Sequence, residues 1–181
     1  RPPEHNFIDK HVWNRLAELG IAPSPLADDA TFLRRAHLDT IGTLPTVDEA
    51  RAFLADKKPD KRNRMVAGLL DRKEYAFYWA MKWADVLRVD NAQLKPQVTV
   101  AITRWLRRQM AENVPFDRFA REILTVRGNT RSETPAAVYS VLKSPGELAR
   151  SVSQLFLGVR IECAQCHHHP FEKWAQKDYF A

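Results

Sequence analysis

Seven consecutive residues, Cys163-Ala164-Gln165-Cys166-His167-His168-His169, hold both cysteines of the 181-residue chain and three of its six histidines. Thiolate and imidazole ligate borderline and soft metals and carry redox and nucleophilic chemistry. The spacing Cys-x-x-Cys-His is that of c-type haem attachment. Two thiols three residues apart leave one side of a helical turn, where each can form a thioether with one haem vinyl group. His167 then follows as the proximal iron ligand. His169 is a candidate second-layer group that would hydrogen-bond a propionate or orient His167, while His168 is expected to face solvent.

The same atoms permit other chemistry. Cys163, Cys166, His167 and His169 could supply two thiolates and two imidazoles to a tetrahedral zinc. Zinc knuckles normally draw the second pair of ligands from a distant segment, whereas this set spans only seven residues. A redox-active dithiol is a third option, although that motif usually opens a helix after a strand. With no further cysteine, a disulfide framework is disfavoured. For a haem, the distal iron ligand must come from outside the cluster, because His168 and His169 are too close to His167 in sequence. Candidates are His5, His11, His37, Met65, Met81 and Met110, with His37 and Met81 preferred for their well-defined helices; a five-coordinate iron is the remaining option.

These groups have to be positioned by helices. Apolar residues recur at three- and four-residue spacing throughout and no segment alternates as a strand would, which predicts an all-α domain of about eight helices. Phe7, Ile8, Val12, Leu16 and Leu19 form one face of a first helix ended by Gly20. A second runs from about Thr31 to Ile41 and is stopped by Gly42 and Pro45. Thr46-Val-Asp-Glu49 reads as a capping box opening a third that ends near Asp56. "KKPDKRNR" reads as a polar break. After it come an apolar stretch from Met65 and a helix with an aromatic stripe of Tyr75, Tyr78, Trp79 and Trp83, read as core. Pro96 opens the next helix, another spans about Phe116 to Arg127, and "GNTRSETP" reads as a loop. A short helix in "PAAVYSVLK" precedes a long one from Ser144, capped by Ser, Pro and Glu147 as a second capping box, which delivers the chain to Cys163. Tyr179 and Phe180 have no room to complete a helix. The whole, residues 1–181, reads as a single cytochrome-like domain cut from a longer multidomain protein.

Composition narrows the setting. The content is 45% hydrophobic and 28% charged, and no apolar run approaches the roughly 20 residues of a membrane span. Twenty-eight basic and 22 acidic residues give a net charge of +6, mostly spread, with small clusters at Lys57, Lys58, Lys61, Arg62 and Arg64 and at Arg104, Arg107 and Arg108. No nucleic-acid motif accompanies them. A basic haem protein would meet an acidic surface on a redox partner or neighbouring domain through weak, salt-sensitive contacts.

Four separated blocks, "RRAHLDTIGTLPT", "WAMKWADVLRVDN", "NVPFDRFAREIL" and "FLGVRIECAQCHHHPFEKWAQKDYF", resemble the planctomycete cytochrome-associated domain of unknown function, the second of the planctomycete-specific cytochrome-like domains. The resemblance implies an exported bacterial protein, periplasmic or otherwise extracytoplasmic, with a second planctomycete-specific domain nearby and often a c-type cytochrome domain. It places the family's Cys-x-x-Cys-His on Cys163, Cys166 and His167 and the family's second histidine on His169. The chain departs from the family pattern at His168, where an acidic residue is common, and in "LDTIGTLP". His37 and Met81 do not fall on family motif positions, and the recurring second histidine keeps zinc in play. Together these readings point to a c-type haem domain for electron transfer or redox sensing, more an electron carrier than an enzyme, with a zinc-stapled helical scaffold as the alternative.

Overall fold

A computed structural model of the chain describes residues 3–90, 92–130 and 133–180. Among them are ten α-helices and no strand, so the all-α expectation holds with more and shorter helices than the periodicity suggests. In chain order they are α1 (Phe7–Glu18), α2 (Asp29–Ile41), α3 (Val47–Ala55), α4 (Lys61–Leu70), α5 (Lys73–Val86), α6 (Pro96–Ala111), α7 (Phe116–Leu124), α8 (Ala137–Val141), α9 (Pro145–Val152) and α10 (Gln176–Phe180). Two 3₁₀ segments, Thr134–Ala136 and Ile161–Gln165, and a π-helical turn, Ser153–Leu157, complete the helical framework.

The core is built where α5 and α6 pack along each other and α7 and α8 close over them. Ile102 and Leu106 recur four apart on α6 and Phe119 and Ile123 four apart on α7, which puts each pair on one helical face, and all four are 2% exposed or less. The ring of Phe119 lies between two indoles, edge-on to Trp83 at 4.8 Å and stacked on Trp105 at 5.4 Å. Each such aromatic contact adds roughly 0.5–1.5 kcal/mol beyond the area it buries. Tyr139 hydroxyl reaches the carbonyls of Ile123 and Leu124 at 3.2 and 3.1 Å, serving acceptors that the end of α7 leaves without intrahelical partners.

The N-terminal half is held differently, by charge and caps around α2. Thr46 Oγ1 accepts from Glu49 N–H and Glu49 Oε2 accepts from Thr46 N–H at 2.7 Å, so the predicted capping box is formed. Arg72, just before α5, donates to the other Glu49 oxygen at 2.7 Å and also to Glu74, while Lys61 and Arg62 of α4 both meet Asp29. Arg64 pairs with Asp56 and Asp60. Three of the five basic residues in the cluster at 57–64, Lys61, Arg62 and Arg64, are therefore paired within the fold. Gly42 ends α2 at φ 72°, and a Cβ there would stand 2.3 Å from the Tyr78 ring, so only glycine lets α5 come this close.

Some expectations change. The apolar face of α1 is on the surface, with Phe7 76% exposed and no residue of that helix buried. Amphipathic spacing identified the helix but could not say whether another element covers it. The "KKPDKRNR" break is only half a break, since Lys61–Arg64 already form the first turn of α4. The helix expected to reach Arg127 stops at Leu124. At Ser144 half the capping box forms, with Ser144 Oγ accepting from Glu147 N–H. Tyr179 does belong to a short helix, and it is buried. Arg131 and Ser132 of the expected loop lie outside the described residues.

Hydrogen bonds and cations depress five carboxylates, all between residues 28 and 74. Asp28 is lowered by the Thr31 amide, Asp29 by Lys61, Glu49 by the Thr46 amide, Asp56 by the Lys58 amide and Glu74 by Arg72. A depressed carboxyl contributes stability that is complete above its unfolded pKa, near 3.8 for Asp and 4.5 for Glu, and that is lost as pH falls through the lower folded value. Acid titration followed by amide-resolved NMR should therefore lose the α2–α4 signals before those of Ile102, Leu106 and Phe119. Simultaneous loss across the chain would contradict this division.

Candidate functional site

The geometry of the Cys-x-x-Cys-His segment begins with α9. Ser144 caps it, Pro145 occupies its first position, and it runs directly into the π turn Ser153–Leu157. Gly158 at φ 67° ends that turn, and the amides of Gly158 and Val159 both donate to Ser153 O. Arg160 then leads into the 3₁₀ turn Ile161–Gln165, so the thiols stand on a separate turn beyond the helix that was expected to end at them.

A 3₁₀ helix has three residues per turn, which makes side chains at i and i+3 eclipse. Ile161 and Ala164 thus share one side of the turn and Cys163 and Cys166 another. The first pair is 7% and 0% exposed, packed with Tyr179, Ala149, Val159 and Trp174. The second pair is exposed, and both thiols are free. The remaining positions tie the turn to its supports: Glu162 pairs with Arg150 of α9 at 2.7 Å, and Gln165 O accepts from Gln176 Nε2 of α10 at 3.0 Å. Tyr179 closes the triangle, its hydroxyl donating to Gly146 O at 3.0 Å. Two helices and the turn thus lock one another, and the direction of the thiols follows from that lock.

The imidazoles are set individually. His167 Nδ1 is 2.6 Å from His168 O. A carbonyl only accepts, so Nδ1 carries the proton and Nε2 is left as a lone-pair nitrogen on an exposed side chain. His169 uses both ring nitrogens: Nε2 donates to Arg160 O at 3.1 Å and Nδ1 accepts from Phe171 N–H at 3.3 Å. Its amide also donates to Trp174 O at 2.8 Å. His169 thereby closes the loop after the cysteine turn and fastens it to the loop before it.

The structure brings Cys163, Cys166 and His167 onto one exposed segment. It does not gather a zinc-type ligand set, since among the described residues no three of His, Cys, Asp and Glu converge as a metal would require. The distal-ligand candidates lie in other elements. His37 is buried in α2, which packs on α3, α4 and α5, whereas the cysteine turn packs on α9 and α10. Its Nδ1 donates to Leu33 O at 3.0 Å and its Nε2 sits 3.9 Å from Glu49. Met81 is 50% exposed on α5. His5 and His11 are exposed, and Met65 and Met110 are half-buried. Sequence reasoning missed the anchors Ile161, Ala164, Tyr179 and Arg150. The available signal was an apolar pair, Ile161 and Ala164, interleaved with the cysteine pair at the same three-residue spacing.

The sequence profile of the family described as PSCyt2, protein of unknown function (DUF1549), matches residues 7–181. No curated protein and no solved structure matches the chain.

Filling the buried side of the turn should disturb it from behind. Ala164→Leu is expected to cost about 1–3 kcal/mol of stability by overpacking, and Tyr179→Phe about 1 kcal/mol by loss of one hydrogen bond. Thermal melts of both variants check this, and an unchanged midpoint for Ala164→Leu would contradict the packed side assigned to residues 161 and 164.

Proposed function

We propose that this chain, which belongs to the PSCyt2 family of proteins of unknown function, carries a covalently attached c-type haem and serves electron transfer or redox sensing outside the cytoplasm. The observation that carries the reading is the state of His167. An imidazole that ligates a metal typically donates its other ring N–H to a carbonyl or carboxylate, which fixes tautomer and orientation. Here Nδ1–H donates to His168 O, which leaves Nε2 available one residue beyond two exposed thiols.

The residues present fit the group. Haem attachment asks for one imidazole and two thiols on one side of a turn, with no cluster of converging ligands, and the exposed Cys163 on the 3₁₀ turn and Cys166 at its end suit that requirement. Each S–H would add across one vinyl double bond, forming a thioether with no oxidant required. When bound, the haem supplies one-electron chemistry at iron. The chain supplies the rest: the buried pair Ile161 and Ala164 holds the thiols outward, His167 presents Nε2, and His169 pins the loop that carries it. His169 acts on this reading as a fastening of backbone.

The exposed placement of the thiols and His167 favours an electron carrier over an enzyme with an enclosed distal pocket. Residues 143–180 carry five basic and four acidic side chains, so the surface around the site is close to neutral and most of the net positive charge lies elsewhere. Phe171, 91% exposed and hydrogen-bonded to His169, stands at the site as an apolar contact for a partner protein or neighbouring domain. An acidic partner surface would have to meet the basic residues away from the cysteine turn.

Expression in cells competent for c-type haem attachment should yield a coloured protein whose alkaline pyridine spectrum shows about one haem per chain. The double variant Cys163→Ala/Cys166→Ala should lose all covalent haem and keep its helical circular dichroism. A colourless wild-type protein with stoichiometric zinc would overturn the proposal in favour of a zinc-stapled scaffold.

A further inference from the structure

A second site lies on another face of α9. Leu148, Ser151, Val152 and Leu155 recur three and four apart and share one face, whereas Ala149, which packs on the cysteine turn, is rotated from Leu148 by about 100°. The face of Leu148 and Val152 does not close on the core. Between it and Ile123 and Val138 is a cavity of about 350 Å³, with Leu155 and Phe156 of the π turn forming one wall. That volume lies at the small end of the range for ligand pockets.

Three observations coincide there. The wall contains the only π-helical turn among the described residues, a widening often found at functional sites. Arg88 lines the cavity at φ 56°, the left-handed position of the cap that ends α5, where Arg88 N–H donates to Asp85 O and Val89 N–H to Ala84 O, so its backbone is fixed there. Arg88 is also the only ionisable residue lining the cavity, and its exposed guanidinium has no hydrogen-bond or ion-pair partner among the described residues. One unpaired cation at the edge of an apolar chamber with no acid in its walls is complementary to a ligand with an apolar body and a single negative head.

We infer that this cavity binds a small apolar carboxylate, the hydrocarbon portion lying between α9 and the core and the carboxylate paired with Arg88. The inference is independent of the haem proposal, since the cavity and the thiols use different faces of α9. Ser151 and Gln154 stand at the wall as further polar groups. Arg88 holds the charged end, and the π turn provides the width that a regular α-helix would fill.

Calorimetric titration with decanoate and, separately, with decanol tests this on the full chain. Decanoate should bind saturably with one site per chain, and decanol at least tenfold more weakly. Arg88→Asn removes the charge while suiting the left-handed backbone, and should weaken decanoate about tenfold. Arg88→Lys should recover part of that loss. Ser151→Trp, which fills the cavity from a half-buried position, should abolish binding, with circular dichroism and a thermal melt confirming its fold. No saturable binding to the wild type, equal affinity for the two probes, or unchanged binding by folded Arg88→Asn or Ser151→Trp would each overturn the inference.

Discussion

The candidate site depends on a three-residue repeat. In a 3₁₀ turn every third side chain points the same way, so burying Ile161 and Ala164 compels Cys163 and Cys166 to face outward together. An α-helical turn would spread positions i and i+3 by about 60°. The turn could not hold itself, because a five-residue 3₁₀ segment has little intrinsic stability. It is held by Tyr179 from α10 and Arg150 from α9, so the two helices that flank the turn in the chain close over it and orient it.

The two halves of the domain rest on different physics. Around α2, caps and ion pairs predominate, and the charged groups satisfy one another. Around α5, α6 and α7, interlocking aromatic rings predominate, with Phe119 between two indoles. The site hangs from the second half through the π turn, whose Leu155 and Phe156 pack on that core. The first half meets the second chiefly where α2 packs on α5, and the aromatic core is the more direct mechanical support of the site.

Much of this was legible in the sequence for identifiable reasons. The capping box at Thr46 to Glu49, the proline opening α6 and the glycine ending α2 are local signals whose chemistry is complete within a few residues. The cysteine pair and His167 were legible for the same reason. Contacts that join distant segments were not: nothing near Tyr179 announces that its hydroxyl meets Gly146, and nothing in α1 announces that Phe7 remains exposed. His169 shows the limit most clearly. Its type suggested a ligand or a group supporting one, while its partners, the Arg160 carbonyl and the Phe171 amide, make it a loop fastener. The partner atoms belong to the backbone, which residue identity does not reveal.

The π turn at Ser153–Leu157 has a consequence for chain length. A π turn closes its hydrogen bonds one residue further along than an α turn, so it accommodates one residue more in the same rise. Removing a single residue from it would let α9 continue as an ordinary helix to Gly158. Because the extra residue is absorbed within the turn, the chain beyond Gly158 would keep its direction, and Ile161 and Ala164 would stay on the face of Tyr179. What would change is the wall that Leu155 and Phe156 form beside the core. The turn thus works as a local store of one residue, and a one-residue deletion here reshapes the cavity while sparing the orientation of the thiols.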